Sequence, residues 1–177
     1  MWEAVFDNAH PVAIEVGPGR GDFLMAHART HPAQNILGIE RSPNRARAIQ
    51  ERLDAVRLRN ARVLNADAPC VVTALPGLCV AAYHIQFPDP WWKRRHHRRR
   101  LFTAQFVGSL RRTLVPGGTI ELVTDVADYW ALAQHLLDAE PGHERITAGE
   151  TSDVVTTFAR KAERRGVPLY RSTHRRV

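Results

Sequence analysis

VAIEVGPGRGDFLMAHAR, residues 12–29, contains the strongest indication of fold class in the chain. Apart from Glu15, its first five residues are apolar and mostly β-branched, which is typical of a buried strand. The glycines of GPGRG allow the backbone to turn sharply and to approach a ligand closely. Residues 23–29 fit a helix, and Asp22 lies in its first turn, where a carboxylate interacts favourably with the helix dipole. We therefore predict a strand, a glycine-rich turn and a helix in immediate succession.

The rest of the chain continues this alternation of strands and helices. Further strands are predicted at 36–40, 61–65, 79–85 and 120–123, and further helices at 43–57, 101–114 and 127–139. Strands that alternate with helices at this spacing form a parallel sheet with helices on both faces. Because no repeat or linker interrupts the pattern, we expect residues 1–177 to form one domain. A ligand should bind beyond the carboxyl ends of the strands.

The net charge of +7 is unevenly distributed along the 177 residues. Residues 93–100 carry six Lys or Arg and no acid, and residues 158–177 carry seven against one acid. Such segments fit a polyphosphate partner, although a solvated charged face is the alternative. No apolar run approaches the roughly 18 residues of a membrane helix. We expect a cytoplasmic protein without a membrane partner, and its two cysteines are wrongly spaced for a zinc site, so no metal is expected.

The glycine-rich turn favours a cationic ligand over a phosphate. Gly17, Gly19 and Gly21 are flanked by Glu15 and Asp22, and two carboxylates would repel a pyrophosphate. They suit the ammonium and sulfonium groups of S-adenosylmethionine. We weigh this cofactor above a nicotinamide dinucleotide.

Two further acids follow predicted strands. Glu40 lies about 20 residues after the glycines, where a carboxylate can bind ribose hydroxyls, in an adenosyl cofactor or in a dinucleotide. Asp67 could accept a hydrogen bond from an adenine amino group. A helix N-cap is an equally good interpretation of Asp67.

The stretch IQFPDPWWKRRHHRRR, residues 85–100, indicates a nucleobase site beside a phosphate site. Pro88 and Pro90 stiffen a turn that presents Asp89 and Trp91 after the fourth predicted strand. A nucleobase needs an aromatic surface for stacking and an acceptor for its N–H groups. We expect Trp91 to pack largely against the sheet and the exposed chemistry to belong to Asp89. The cations from Lys93 onward can bind phosphates, which position a nucleic acid without reading its sequence.

These motifs resemble the tRNA (guanine-N7-)-methyltransferase family from about Phe6 to Arg171. The resemblance rests on IEVGPGRGDFL (14–24), GIE (38–40), NADA (65–68), FPDPWWKRRHHRRRL (87–101), TDVADY (124–129), TTF (156–158) and GVPLYR (166–171). It implies an α/β, Rossmann-like class I methyltransferase fold with a mostly parallel seven-stranded sheet. It also implies methyl transfer from S-adenosylmethionine to N7 of guanine-46 in the tRNA variable loop.

The resemblance implies a role for each matching residue. Asp89 is implied to be catalytic and to contact the cofactor. Other implied cofactor contacts are Glu15, Gly17, Gly19, Gly21, Glu40 and Asp67. Implied guanosine contacts are Lys93, Asp125 and Thr156, and implied RNA contacts are Arg95, His96, His97, Arg98, Arg99 and Arg100.

One departure from the family pattern keeps alternatives open. Ala159 stands where the family's Thr-x-x-Glu motif, beginning here at Thr156, has glutamate. The chain could therefore be a catalytically weakened or inactive homologue that binds tRNA or cofactor, or a methyltransferase of another RNA guanine. We expect no obligatory protein partner, and both a monomer and a homodimer fit the sequence. His27, His31, His135 and His143 are expected at the surface.

Overall fold

The structure of the chain is a computed structural model that describes residues 1–91, 93–146 and 157–177, without the side chains at 94, 97, 98, 157–159 and 161. The strands are β1 Val12–Val16, β2 Asn35–Glu40, β3 Ala61–Asn65, β4 Val80–Gln86, β5 Leu114–Thr124, β6 His143–Ile146 and β7 Tyr170–Arg176. The helices are α1 Glu3–Phe6, α2 Asp22–Thr30, α3 Pro43–Ala55, α4 Ala68–Ala74, α5 Ala104–Thr113, α6 Ala127–Ala139 and α7 Thr157–Arg164. A 3₁₀ helix spans Arg94–Arg99.

The described strands form one seven-stranded sheet in the order β3-β2-β1-β4-β5-β7-β6. Neighbours among β1 to β5 are parallel, whereas β7 runs antiparallel between β5 and β6. The predicted α/β fold with a mostly parallel seven-stranded sheet is confirmed. The strand order reverses at β1, because β2 and β4 lie on its opposite sides. This is the switch point beyond which open α/β sheets bind ligands.

The predicted strands of the parallel part agree closely with the structure. β1 and β3 have the predicted bounds, and β2 and β4 differ from them by one residue. Apolar runs mark β1, β2 and β4 because helices cover both of their faces, whereas β3 is a partly exposed edge strand. The strands β6 and β7 have the polar sequences HERI and YRSTHRR. No apolar run marks them, and only the family resemblance implied seven strands.

The segment from 101 to 124 corrects one predicted helix. Helix α5 begins at Ala104, because Thr103 is its N-cap and its hydroxyl accepts a hydrogen bond from the backbone N–H of Phe106 across 3.1 Å. Strand β5 begins at Leu114, before the glycine pair that was assigned to the break between helix and strand. Gly117 has φ +76°, and the register of β5 against β4 shifts at this end. The glycines therefore lie in an irregular start of the strand.

The two faces of the sheet bury separate apolar clusters. Phe23 and Leu24 of α2 pack with Ile49 and Leu53 of α3 on one face. On the other face, α4, α5 and α6 cover β1, β4 and β5. Burial of each large apolar side chain contributes about 1.5–3 kcal/mol, so both layers hold the carboxyl ends of the strands in place. Within the described ranges, no helix has the length and apolar character needed to cross a membrane.

The expectation that His27 lies at the surface is wrong. Its side chain is buried, stacks on His31 at 4.3 Å between ring centroids, and lies 2.6 Å from Gln34 Oε1. Burial, together with the nearby His84, lowers the pKa of His27 to about 4. His27 is therefore a neutral part of the α2 packing layer.

Candidate active site

A cleft of about 1140 Å³ opens beyond the carboxyl ends of the parallel strands. It is lined by the glycine-rich loop, the ends of β2 and β3, the turn after β4 and the end of β5. The structure thus brings together nine of the predicted site residues, namely Glu15, Gly17, Gly19, Glu40, Asp67, Asp89, Arg99, Arg100 and Asp125. With Asp22, six acidic side chains line the cleft, and they favour a ligand that is cationic or rich in N–H and O–H donors.

The three glycines of the loop have different environments. Gly17, Gly19 and Gly21 all have positive φ, at 72°, 57° and 76°. A Cβ at Gly17 would meet no atom within 4 Å, whereas a Cβ at Gly21 would lie 3.0 Å from the Ile49 side chain. Gly21 is the N-cap of α2 and does not line the cleft. Its small size allows α2 to pack closely against α3.

Glu15 provides a buried carboxylate at the floor of the cleft. The residue is 2% exposed, and its Oε2 atom has no hydrogen-bond partner among the described residues. Burial raises the pKa of Glu15 to about 8; the backbone N–H of Leu24 lowers it, and the charges of Asp22 and Glu40 raise it. An unpaired buried carboxylate is costly, so this position suits a cationic group of a ligand.

Glu40 is held in a fixed orientation at the end of β2. Its Oε1 atom accepts a hydrogen bond from the backbone N–H of Ser42 at 2.8 Å, and its Oε2 atom accepts one from Gly19 at 3.2 Å. Each carboxylate oxygen retains a lone pair. A pair of ligand hydroxyls can therefore bind without displacing either backbone contact.

Asp67 occupies the N-cap position of α4, but its side chain makes no capping hydrogen bond. The carboxylate is exposed at the cleft and interacts with the Cys70 thiol, whose pKa it raises. The sequence allowed Asp67 to be either a cofactor contact or a helix cap. The described contacts contain no hydrogen bond between its side chain and the start of α4, so it does not cap the helix through its carboxylate. Apart from its contact with Cys70, the exposed carboxylate is accessible from the cleft to a ligand or to solvent.

The turn after β4 presents Asp89 between two strained positions. Phe87 and Trp91 have φ of 50° and 46°, in the left-handed region. Such conformations cost on the order of 1–3 kcal/mol each for non-glycine residues and require support from their surroundings. Asp89 is exposed at the cleft. Asp125 faces the same cleft from the end of β5 and is half-buried.

The basic segment, residues 93–100, folds back over this turn. The Arg99 guanidinium lies 5.2 Å from the Trp91 ring centroid, and His96 meets that ring edge-on at 5.6 Å. The Arg100 Nε atom donates a hydrogen bond to the Pro90 carbonyl at 3.0 Å. Lys93 and Arg95 are exposed. The side chains of His97 and Arg98, and the whole of Thr156, lie outside the described residues.

Three cationic residues of the cleft were missed by the sequence analysis. Arg20, Arg41 and Arg45 are exposed and line the cleft. Their side chains make no hydrogen bond or ion pair with the described part of the chain. The sequence analysis had placed the excess positive charge in residues 93–100 and 158–177, and these three arginines add a third group at the cleft. The rule that ligands bind at strand ends could have identified them, since Arg20 lies in the glycine loop and Arg41 follows Glu40 directly.

Residues 9–172 match a protein family described as putative methyltransferases. A Myxococcus xanthus (strain DK1622) protein named tRNA (guanine-N(7)-)-methyltransferase is 33% identical, with 97% of this chain and 86% of that protein covered. A Thiobacillus denitrificans (strain ATCC 25259 / T1) protein of the same name is 39% identical, with 94% and 74% covered. The crystal structure of a SAM-dependent methyltransferase from Aquifex aeolicus has a TM-score of 0.66 at 14% identity, covering 99% of this chain and 89% of that one. The structural likeness confirms the predicted Rossmann-like methyltransferase fold.

Proposed function

This chain belongs to the tRNA (guanine-N(7)-)-methyltransferase family, and we propose that it transfers a methyl group from S-adenosylmethionine to N7 of a guanine in tRNA. The observation that carries the proposal is the convergence of Glu15, Glu40, Asp67, Asp89 and Asp125 on one cleft beside the basic segment. Such a cleft can hold a cation, two ribose hydroxyls and the N–H edges of two bases. We further propose that the methylated nucleotide is guanine-46 in the variable loop.

Three acids would hold the cofactor. Glu15 would face its ammonium group, because Glu15 Oε2 is buried and has no partner among the described residues. Glu40 would accept hydrogen bonds from the ribose hydroxyls, and Asp67 from the adenine amino group. The bound cofactor supplies a methyl group on a positively charged sulfur, which is an electrophile. Gly17 and Gly19 leave room for the backbone to approach it.

Asp89 and Asp125 would hold the substrate guanine by its N–H edge. Guanine N7 has an in-plane lone pair and carries no proton at neutral pH, so its attack requires no general base. The task of the chain is then to align N7 with the methyl group, and orientation of this kind can contribute about 7–11 kcal/mol. The two carboxylates would also stabilise the positive charge that develops on the purine. Asp89 is in this sense the catalytic residue.

The basic segment would position the tRNA. Lys93 and Arg95 are exposed beside the cleft entrance, where a phosphate can reach them. Contacts from His96, His97, Arg98, Arg99 and Thr156 remain part of the proposal. Residues 1–177 would act as one domain, in the cytoplasm where tRNA is modified, without an obligatory protein partner.

The test uses the purified chain, labelled S-adenosylmethionine and a tRNA transcript without modified nucleosides. The product is digested to nucleosides and analysed by mass spectrometry. The proposal predicts 7-methylguanosine, which is lost when the variable-loop guanine is replaced by adenine. No methylated nucleoside, with cofactor and tRNA binding intact, would refute the proposal in favour of a binding homologue weakened by Ala159. Methylation of ribosomal RNA or another small RNA in preference to tRNA would instead identify a different guanine substrate.

A further inference from the structure

We propose that Arg100 is a positioning residue, whose hydrogen bond to the Pro90 carbonyl holds the turn that presents Asp89. The inference rests on the proposed function. It assigns to Arg100 a role different from the RNA contact expected from the sequence. It also divides the basic segment into arginines that bind RNA and arginines that shape the site.

The turn at residues 88–91 has little hydrogen bonding of its own. Pro88 and Pro90 restrict the backbone but have no N–H groups, and no backbone–backbone hydrogen bond joins these four residues to the described part of the chain. The left-handed Phe87 and Trp91 on either side add conformational strain. Among the described residues, the hydrogen bond from Arg100 Nε is the one that reaches residues 88–91. The start of the turn is anchored separately, because the backbone N–H of Phe87 donates to the Val123 carbonyl at 2.7 Å, so the contact from Arg100 fixes its far end.

The backbone that follows Arg100 is fixed to helix α6. The next residues are anchored on α6, because the backbone N–H of Phe102 donates to the Tyr129 hydroxyl at 3.4 Å. Burial raises the pKa of Tyr129, the backbone N–H groups of Phe102 and Leu101 lower it, the charge of Arg100 lowers it, and that of Asp89 raises it. The charges of Arg100 and Asp89 both lie close enough to this hydroxyl to affect its pKa, so the two residues are near the same anchor point on α6.

Arg95 offers a contrast within the same segment. It is exposed, and its described side-chain contact is a 3.3 Å hydrogen bond from its Nε atom to His96. Its guanidinium remains available to a phosphate. Arg100 is half-buried and lines the cleft, and its Nε atom already donates a hydrogen bond to the Pro90 carbonyl. Loss of Arg95 should therefore affect tRNA affinity, and loss of Arg100 should affect the rate of methyl transfer.

The test compares Arg100→Gln, Arg100→Lys and Arg95→Gln in tRNA methylation, with kcat and the KM for tRNA measured separately. We expect Arg100→Gln to lower kcat about tenfold while the KM for tRNA changes little, because a lost transition-state alignment reduces kcat. Arg100→Lys retains a donor for the Pro90 carbonyl and should recover most of that loss. Arg95→Gln should raise the KM for tRNA. Hydrogen exchange at the Asp89 and Trp91 amides should accelerate in Arg100→Gln and not in Arg95→Gln.

Two results would overturn the inference. One is a rise in KM with unchanged kcat in Arg100→Gln, which would make Arg100 a phosphate contact. The other is a loss of kcat that Arg100→Lys does not restore, with unchanged exchange at the turn. If Arg100→Gln does not fold, Arg100→Lys is compared with the wild type and with Arg95→Gln. The same measurements of kcat, KM for tRNA and hydrogen exchange at the turn then test the inference. Absence of methylation by the wild-type protein would refute the proposed function, and the exchange experiment would still test the contact.

Discussion

The Glu40 carboxylate accepts a hydrogen bond from the backbone N–H of Gly19 across 3.2 Å, and this contact ties the end of β2 to the glycine-rich loop after β1. The other oxygen of Glu40 accepts the N–H of Ser42 at 2.8 Å. One buried side chain thus orients both the loop and the start of α3. The same carboxylate is the proposed ribose contact, so loop geometry and cofactor binding depend on a single residue.

Glu40→Gln should weaken S-adenosylmethionine binding about 10- to 100-fold. A glutamine keeps one acceptor oxygen but places an NH₂ group against one of the two backbone N–H donors, and a lost hydrogen bond to a charged group costs about 1.5–3 kcal/mol. Isothermal titration calorimetry measures the affinity. Glu51→Gln, an exposed change on α3, is the matched control and should bind normally. Equal affinities in the two variants would exclude Glu40 as a cofactor contact.

The contribution of Glu15 to the stability of the free protein should fall as pH rises from about 4.5 to about 8, because burial raises the pKa of Glu15 to about 8. In this window Glu15 retains a proton in the folded state that it releases on unfolding, so the free energy of unfolding of the wild type decreases relative to that of Glu15→Gln by up to about 1.4 kcal/mol per pH unit. The comparison with Glu15→Gln is needed because the lowered pKa of the buried His27 gives a slope of opposite sign below pH 6.5. Urea titrations of both proteins at several pH values measure the difference. A wild-type protein with no such slope relative to Glu15→Gln would show that Glu15 is ionised in the folded state.

Asp89→Asn and Asp125→Asn should each lower kcat/KM for tRNA. Each change removes a charged acceptor from the guanine N–H edge, and the general magnitude of about 1.5–3 kcal/mol corresponds to roughly one to two decades. The exposed Asp128 of α6 provides the control, Asp128→Asn, which should retain wild-type kinetics. If both cleft variants kept near-full kcat/KM, neither carboxylate would hold the base.

Arg45→Gln should raise the KM for tRNA and reduce the salt dependence of tRNA binding. Arg45 lines the cleft, is exposed and has no side-chain partner among the described residues, so its charge is available to a phosphate. Removing one phosphate contact lowers the slope of log K against log salt by about one unit. Arg47→Gln, on the same helix but outside the cleft lining, should leave the slope unchanged. Identical slopes in the two variants would place the tRNA away from α3.

The sequence predicted the parallel half of the fold and the acidic cleft for clear physical reasons. Strands buried on both faces leave apolar runs, and parallel strands bring their carboxyl ends to one edge, so Glu15, Glu40 and Asp89 were expected to meet. The polar strands β6 and β7 leave no such signal. The burial of His27 was also missed, since a histidine on an amphipathic helix fits either face and only packing against Phe23 and His84 decides.

The sequence also did not reveal contacts between residues far apart in the chain or residues with strained backbone conformations. The hydrogen bond from Arg100 to Pro90 joins two motif positions ten residues apart, and no local pattern indicates that the segment folds back. The left-handed φ of Phe87 and Trp91 is likewise invisible in the sequence, because neither residue type favours that conformation. A glycine pattern also does not separate Gly17, open to the cleft, from Gly21, packed on Ile49.

The most direct measurement compares two synthetic tRNAs that differ only at the variable-loop guanine, one with guanosine and one with 7-deazaguanosine, which has a C–H group in place of N7. Both retain the N–H edge that Asp89 and Asp125 would bind. The account predicts methyl incorporation into the guanosine tRNA, none into the 7-deaza tRNA, and similar binding of both. Equal incorporation into the two tRNAs would contradict methyl transfer to this N7.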